Sequence, residues 1–168
     1  MEVGLGGGRV LHLESDGDNS TISKKIAKVD VATYSILEWR WRVLALPAGG
    51  DSRRAETDDQ AAQLYVVFPR FPTALRSCII GYVWDTTAPV GAIVPSAGSS
   101  MVTYAIVRSG SAGLGEWIPE RRNVWEDYQR IYGEAPGESV EAVSIGIDSN
   151  DTRSRAESWI GTIEFRRR

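Results

Sequence analysis

Three groups of residues in this sequence have types and spacing suited to chemistry. The first is a charged row on one strand. Along residues 36–44, Leu37, Trp39, Trp41 and Val43 point one way while Glu38, Arg40 and Arg42 point the other. This is the period of two expected of a half-buried strand. Tyr82 and Trp84 share one face of a second strand, and Arg108 shares parity with Tyr104 and Ile106 on a third. If these faces coincide, Glu38, Arg40, Arg42, Tyr82, Trp84 and Arg108 line one ligand site. Aromatic rings beside arginine and glutamate suit a sugar: the rings stack on its C–H groups, and the charged groups bond its hydroxyls or a carboxylate. The structural alternative is that the tryptophans fill the core and the Arg–Glu row is a solvated sheet face.

The second group is acidic. Asp58 and Asp59 follow Glu56 at a junction between loop and strand. Asp148, Asn150 and Asp151 fall on a turn between the last two strands, and Asp16, Asp18 and Asn19 form a further turn cluster. Oxygen-rich turns can hold Ca²⁺, which takes about six to eight oxygen ligands. Asp148, Asn150 and Asp151 are the candidate metal ligands here. Acidic pairs can also work as general acid and base in glycoside cleavage. Equally, Asp and Asn close turns by bonding their own backbone.

The third group is defined by scarcity. His12 is the one histidine and Cys78 the one cysteine. No internal disulfide is possible, the usual zinc ligand sets cannot be assembled, and no G-x-S-x-G elbow is present. Cys78, in an isoleucine-rich strand, reads as a small buried hydrophobe. The glycines at 4–8 have the density of a dinucleotide loop, but no strand precedes them and no helix follows.

These groups need elements to position them. Strands are expected near 9–14, 21–27, 36–44, 60–68, 78–84, 101–108, 140–148 and 157–165, with a further short one allowed in the long loop 86–100. One helix is expected over 123–132. Asn123 with Glu126 fits its N-cap, Val124, Tyr128, Ile131 and Tyr132 form its apolar stripe, and Gly133 followed by Pro136 ends it. Trp125 lies off that stripe, where it could face a partner. Strands do not alternate with helices, so the expected fold is mostly β: an antiparallel two-sheet β-sandwich of jelly-roll type. The 168 residues make one domain, with a flexible lead-in at 1–8 and a basic tail at 166–168.

Composition sets outer bounds. Net charge is −3, which offers no electrostatic footprint for nucleic acid. The longest apolar run, 78–84, is far shorter than the ~18 residues of a membrane span. Met1 is followed by Glu2 and glycines rather than a basic and then apolar segment, so the default expectation is cytoplasmic, or periplasmic or secreted if a leader has been removed.

Several segments occur together in a recognisable order. They are Leu37-Glu38-Trp39-Arg40-Trp41-Arg42-Val43, Thr57-Asp58-Asp59-Gln60-Ala61-Ala62, Tyr82-Val83-Trp84 with Ala88-Pro89-Val90-Gly91, Glu120-Arg121-Arg122-Asn123-Val124 with Glu126-Asp127-Tyr128, and Ile147-Asp148-Ser149-Asn150-Asp151-Thr152 before Ile160-Gly161-Thr162-Ile163-Glu164-Phe165. From about 9 to 165 the chain resembles a bacterial family known only as domain of unknown function 3047. The resemblance implies no activity. It implies an N-terminal secretion leader, absent or shortened here, and an acidic stretch ordered Asp-x-Asp-Asn-Thr, which reads Asp148-Ser149-Asn150-Asp151-Thr152 in this chain. At the level of fold the chain is also similar to jelly-roll carbohydrate-binding modules. The expected function is non-catalytic ligand binding, with a saccharide as ligand. The alternatives are a glycan-active enzyme using paired carboxylates such as Asp58, Asp59 and Asp148, and a structural or protein-interaction domain. Oligomeric state is open.

Overall fold

The strong alternation at the centre of the sequence becomes the centre of the fold. In the computed structural model, which describes residues 9–168, β3 (Ile36–Ala45) buries Leu37, Trp39, Trp41 and Val43 and leaves Glu38, Arg40 and Arg42 half-buried on the opposite face. The lead-in expected at 1–8 lies outside the described residues. Before β3 come β1 (Val10–Asp16) and β2 (Asn19–Val29). After it come β4 (Ala62–Phe68), a single turn of helix α1 (Thr73–Arg76), β5 (Cys78–Asp85), β6 (Ile93–Pro95), β7 (Val102–Ser109) and β8 (Ile118–Asn123). Helix α2 (Val124–Tyr132), β9 (Val140–Asp148) and β10 (Arg155–Arg166) complete the chain.

The strands form two sheets. A four-stranded sheet has the order β1-β10-β3-β8, and a six-stranded sheet the order β2-β9-β4-β5-β7-β6. Facing residues of the two sheets make the core. Trp39 lies 5.4 Å from Tyr82 and Trp41 lies 6.0 Å from Trp84, ring centroid to centroid, and all four rings are buried. Leu64, Val66 and Phe68 of β4 pack beside them. The mostly β, two-sheet expectation holds. No helix among the described residues is long and apolar enough to cross a membrane.

Three features differ from the sequence reading. The sheets are not wholly antiparallel, because β5 and β7 pair parallel. Parallel neighbours need a crossover, and the segment between them provides it, laying Ala88, Ala92 and Val94 over Val83, Tyr104 and Ile106 in a small second core. Strand β8 was not anticipated. Its sequence, Ile-Pro-Glu-Arg-Arg-Asn, is charged and holds a proline, as suits an edge strand, and its order comes from pairing with β3. Helix α1 is too short to leave a periodic signal.

Helix α2 follows its sequence signals. Asn123 Oδ1 accepts the Glu126 N–H at 3.2 Å, and Gly133 takes φ +73° at the end. Val124 and Tyr128 are buried, with Tyr128 against Phe68 at 4.8 Å. The helix also sends Asp127 inward, where it accepts from Tyr82 Oη at 2.8 Å and from Arg122 Nε at 3.0 Å. This buried network ties helix, edge strand and far sheet together.

Candidate functional site: a cleft on the four-stranded sheet

Residues opposite one another on paired strands share a face. On the outer face of the four-stranded sheet, one row reads Gly161 (β10), Arg40 (β3), Pro119 (β8). The next reads Glu164, Glu38, Arg121 on the same three strands. Between the rows, β10 bulges at Thr162, which adopts φ +51°. Thr162 and Arg166 complete a cleft of about 630 Å³ that Trp39 and Glu120 also line. That volume falls in the range of small-ligand sites. The cleft lies where β10 loses register with β3, so the bulge is what opens it.

Most charges in the cleft neutralise one another. Glu38 receives Arg166 Nε at 2.7 Å and Arg121 Nε at 3.3 Å, and Glu164 pairs with Arg166. Glu120 accepts Arg108 Nε at 2.6 Å and Trp41 Nε1 at 3.1 Å. Arg40 has no carboxylate partner among the described residues, and its guanidinium lies 4.8 Å from the centre of the Trp117 ring. The rest of the face continues past Arg40. Arg42 donates to the Gly115 carbonyl at 2.7 Å, and opposite it Trp159 stacks on His12 at 4.1 Å. His12 in turn meets Glu157 at 2.9 Å, and that hydrogen bond, chiefly, holds Glu157 below the usual glutamate range.

Of the six residues expected to share a ligand site, Glu38 and Arg40 line the cleft and Arg42 lies on the same face. Tyr82 and Trp84 do not: both are wholly buried between the sheets, with Tyr82 bonded to Asp127 and Trp84 Nε1 donating to the Gly110 carbonyl at 3.0 Å. Equal parity along separate strands says nothing about which sheet, or which side of it, those strands occupy. Arg108 stands at the rim, held by Glu120 rather than turned to the outer face. The residues that sequence reasoning missed are Arg121, Thr162, Glu164, Arg166, Trp117 and Trp159. Of these, Trp159 carried a signal, since it alternates with the apolar Ile160 and small Ser158 of a strand whose other face is buried.

The acidic residues converge elsewhere, at one end of the six-stranded sheet. Asp59 is fully buried and its carboxylate accepts the Asp151 N–H at 3.1 Å and the Thr152 N–H at 2.6 Å. It therefore caps the β9–β10 turn. Asp148 accepts the Asn150 N–H at 3.3 Å, and Asp58 accepts from Gln60 Nε2 at 2.7 Å. Burial pushes Asp58 up to about 6, against the Gln60 hydrogen bond and aided by the charges of Asp151, Asp59 and Asp85. Burial likewise pushes Asp148 up to about 7, with Asp59 adding to it. Of the proposed ligand set, Asp148 accepts the Asn150 N–H within the turn, and Asp151 gives its N–H to Asp59. Among the described residues the three-member grouping with ligand atoms all within 4.8 Å is His12, Glu14 and Glu157, and Arg155 already pairs with both of those glutamates.

Comparison with curated proteins gives no match. The profile described as protein of unknown function (DUF3047) matches residues 3–164, nearly the whole chain, so both sheets and the cleft fall within it. This chain belongs to that family.

Proposed function

We propose that this domain is a non-catalytic binding module that takes a saccharide in the cleft of its four-stranded sheet. The observation that carries the reading is the cleft itself: about 630 Å³ on a solvent-facing sheet, floored by strand residues and lined by ion-paired Glu and Arg side chains. Hydroxyl groups both donate and accept, so they can bond such pairs without breaking them. Strands hold the lining groups more rigidly than loops would, which lowers the ordering cost of binding.

The test is affinity electrophoresis of the pure domain through gels containing soluble polysaccharides. Wild type should be retarded by at least one class. Pro119→Trp, which fills the cleft from an exposed position on an edge strand, should weaken that retardation about tenfold, or roughly 1.4 kcal/mol. Retardation that Pro119→Trp leaves untouched would place binding elsewhere. No retardation by any polysaccharide, with association that grows with protein concentration, would favour a structural or protein-interaction role.

A second reading draws on Asp58 and Asp148, whose carboxyls are held near neutrality as a general acid requires. The same polysaccharides, incubated with the domain and assayed for new reducing ends, decide it. Release of product that Asp148→Asn abolishes would make the domain a glycan-active enzyme.

A further inference from the structure

Among the described residues, three buried side-chain polar atoms have no hydrogen-bond partner: Trp39 Nε1, Arg40 Nε and Ser158 Oγ. Of the three, Arg40 Nε belongs to a side chain on the cleft's face, whereas the Trp39 ring packs in the core against Tyr82. Buried polar atoms are paired as a rule, because leaving one unpaired costs its desolvation without return. Arg40 adds a second irregularity. The cleft is lined by Glu38, Glu120 and Glu164 against Arg40, Arg121 and Arg166, which would balance, but Glu120 is neutralised by Arg108 from outside the lining. One positive charge is left over, and it is on Arg40. The guanidinium is held in place by the Trp117 ring rather than by an anion.

A third irregularity adjoins it. Thr162, a β-branched residue, holds φ +51° in the bulge beside Arg40's partner Gly161. Left-handed backbone is rare for such a residue and is found where surrounding structure imposes it, most often at sites that bind. Gly161 has no side chain of its own, and Val10 of β1 covers it, with Cγ1 2.6 Å from where a Cβ would be. A cation with no counter-ion and backbone strain therefore coincide at one spot.

Resting on the saccharide reading above, we infer that the ligand is an acidic saccharide, and that one uronate carboxylate pairs with the Arg40 guanidinium. A carboxylate brings one negative charge, which is the surplus present. The planar fork of an arginine matches it in geometry, whereas a lysine would offer only a point charge. Glu38 and Glu164 stand close by and disfavour an anion of higher charge.

The test measures binding of pectate, alginate and hyaluronan fragments, each beside its carboxyl-reduced, uncharged counterpart, by calorimetry at low salt. A sulfated neutral glycan, a carrageenan fragment, is a further arm. Wild type should bind at least one uronate fragment about tenfold more tightly than its reduced form. Arg40→Ala should abolish that preference while keeping the weaker binding of the reduced form. Arg40→Lys, which retains the charge, should recover part of the preference, and it also reports on the site if the alanine variant does not fold. Equal binding of acid and reduced forms would overturn the uronate inference and leave the saccharide reading standing. A uronate preference that survives in both Arg40 variants would remove Arg40 from the site. Tighter binding of the sulfated glycan than of any uronate would replace carboxylate by sulfate. Binding of no fragment, charged or reduced, would overturn both readings.

Discussion

At the scale of single residues, the acidic end of the six-stranded sheet sets a pH dependence. Asp58 and Asp148 have carboxyls raised to about 6 and about 7, in each case first by burial. In the unfolded chain both titrate near 3.9. The folded state therefore binds these protons more tightly. Their contribution to stability is fully present below about pH 4 and is lost as pH rises through 6 to 7. Both groups keep contact with solvent, so screening reduces the effect to on the order of 1 kcal/mol each. In a protein of this size 1 kcal/mol corresponds to roughly 2–4 °C. The melting temperature should thus fall by several degrees between pH 5 and pH 8, and Asp148→Asn should flatten the profile and raise the value at pH 8. A melting temperature that climbs across this window would show that these carboxyls are not held protonated. Asp59 beside them accepts two backbone N–H groups and pins the β9–β10 turn.

At the scale of elements, β10 is the strand that makes the site. It pairs with β1 on one side and β3 on the other, and its register with β3 shifts between Gly161 and Glu164. A bulge adds an unpaired residue and bends the strand, and here that residue turns the outer face into a cleft. Holding a β-branched residue in the left-handed region costs about 1–2 kcal/mol. Glycine removes this cost, but its freer unfolded chain gives back about 0.4–1 kcal/mol. Thr162→Gly should therefore stabilise the fold by roughly 0.5–1 kcal/mol, read as a higher urea midpoint. A midpoint lowered by more than that would mean that the Thr162 side chain packs in a way that outweighs the strain. If Thr162 is kept for binding, the same variant should bind polysaccharide less well while melting higher.

At the scale of the whole molecule, the two sheets are joined by a column of aromatic rings. Trp39 and Trp41 come from one sheet, Tyr82 and Trp84 from the other, and Trp41 also donates to Glu120 at the rim. Trp41 is fully buried, so Trp41→Ala leaves a cavity at the centre of this column. Truncations of this kind cost about 3–5 kcal/mol, a large share of the roughly 5–15 kcal/mol that holds a domain together. Urea unfolding should show a lower midpoint by that amount with an unchanged slope. A loss under about 1 kcal/mol would mean that the sheets are joined chiefly elsewhere. The interior is occupied by its own side chains.

Much of this was legible before any tertiary contact was known. The alternation of 36–44 specified a strand with Leu37, Trp39, Trp41 and Val43 on one face and Glu38, Arg40 and Arg42 on the other, because side-chain direction in a strand alternates with position. Asn123, Glu126 and Gly133 specified the ends of helix α2, because caps are local hydrogen bonds. Turn closure by Asp and Asn was legible for the same reason. What local rules could not decide was which strands become neighbours. Tyr82 and Trp84 read as surface rings because parity does not say which side of a sheet faces a second sheet, and only the packing of β5 beneath β3 put them in the core. Strand β8 was hidden because its charged edge sequence draws its order from β3. The cleft depends on three strands far apart in the chain and on one slip of register between two of them. Pairing over such distances is a property of the whole fold, so the sequence by itself determined the elements and their faces, and the tertiary structure decided which faces meet and where one residue too many opens a site.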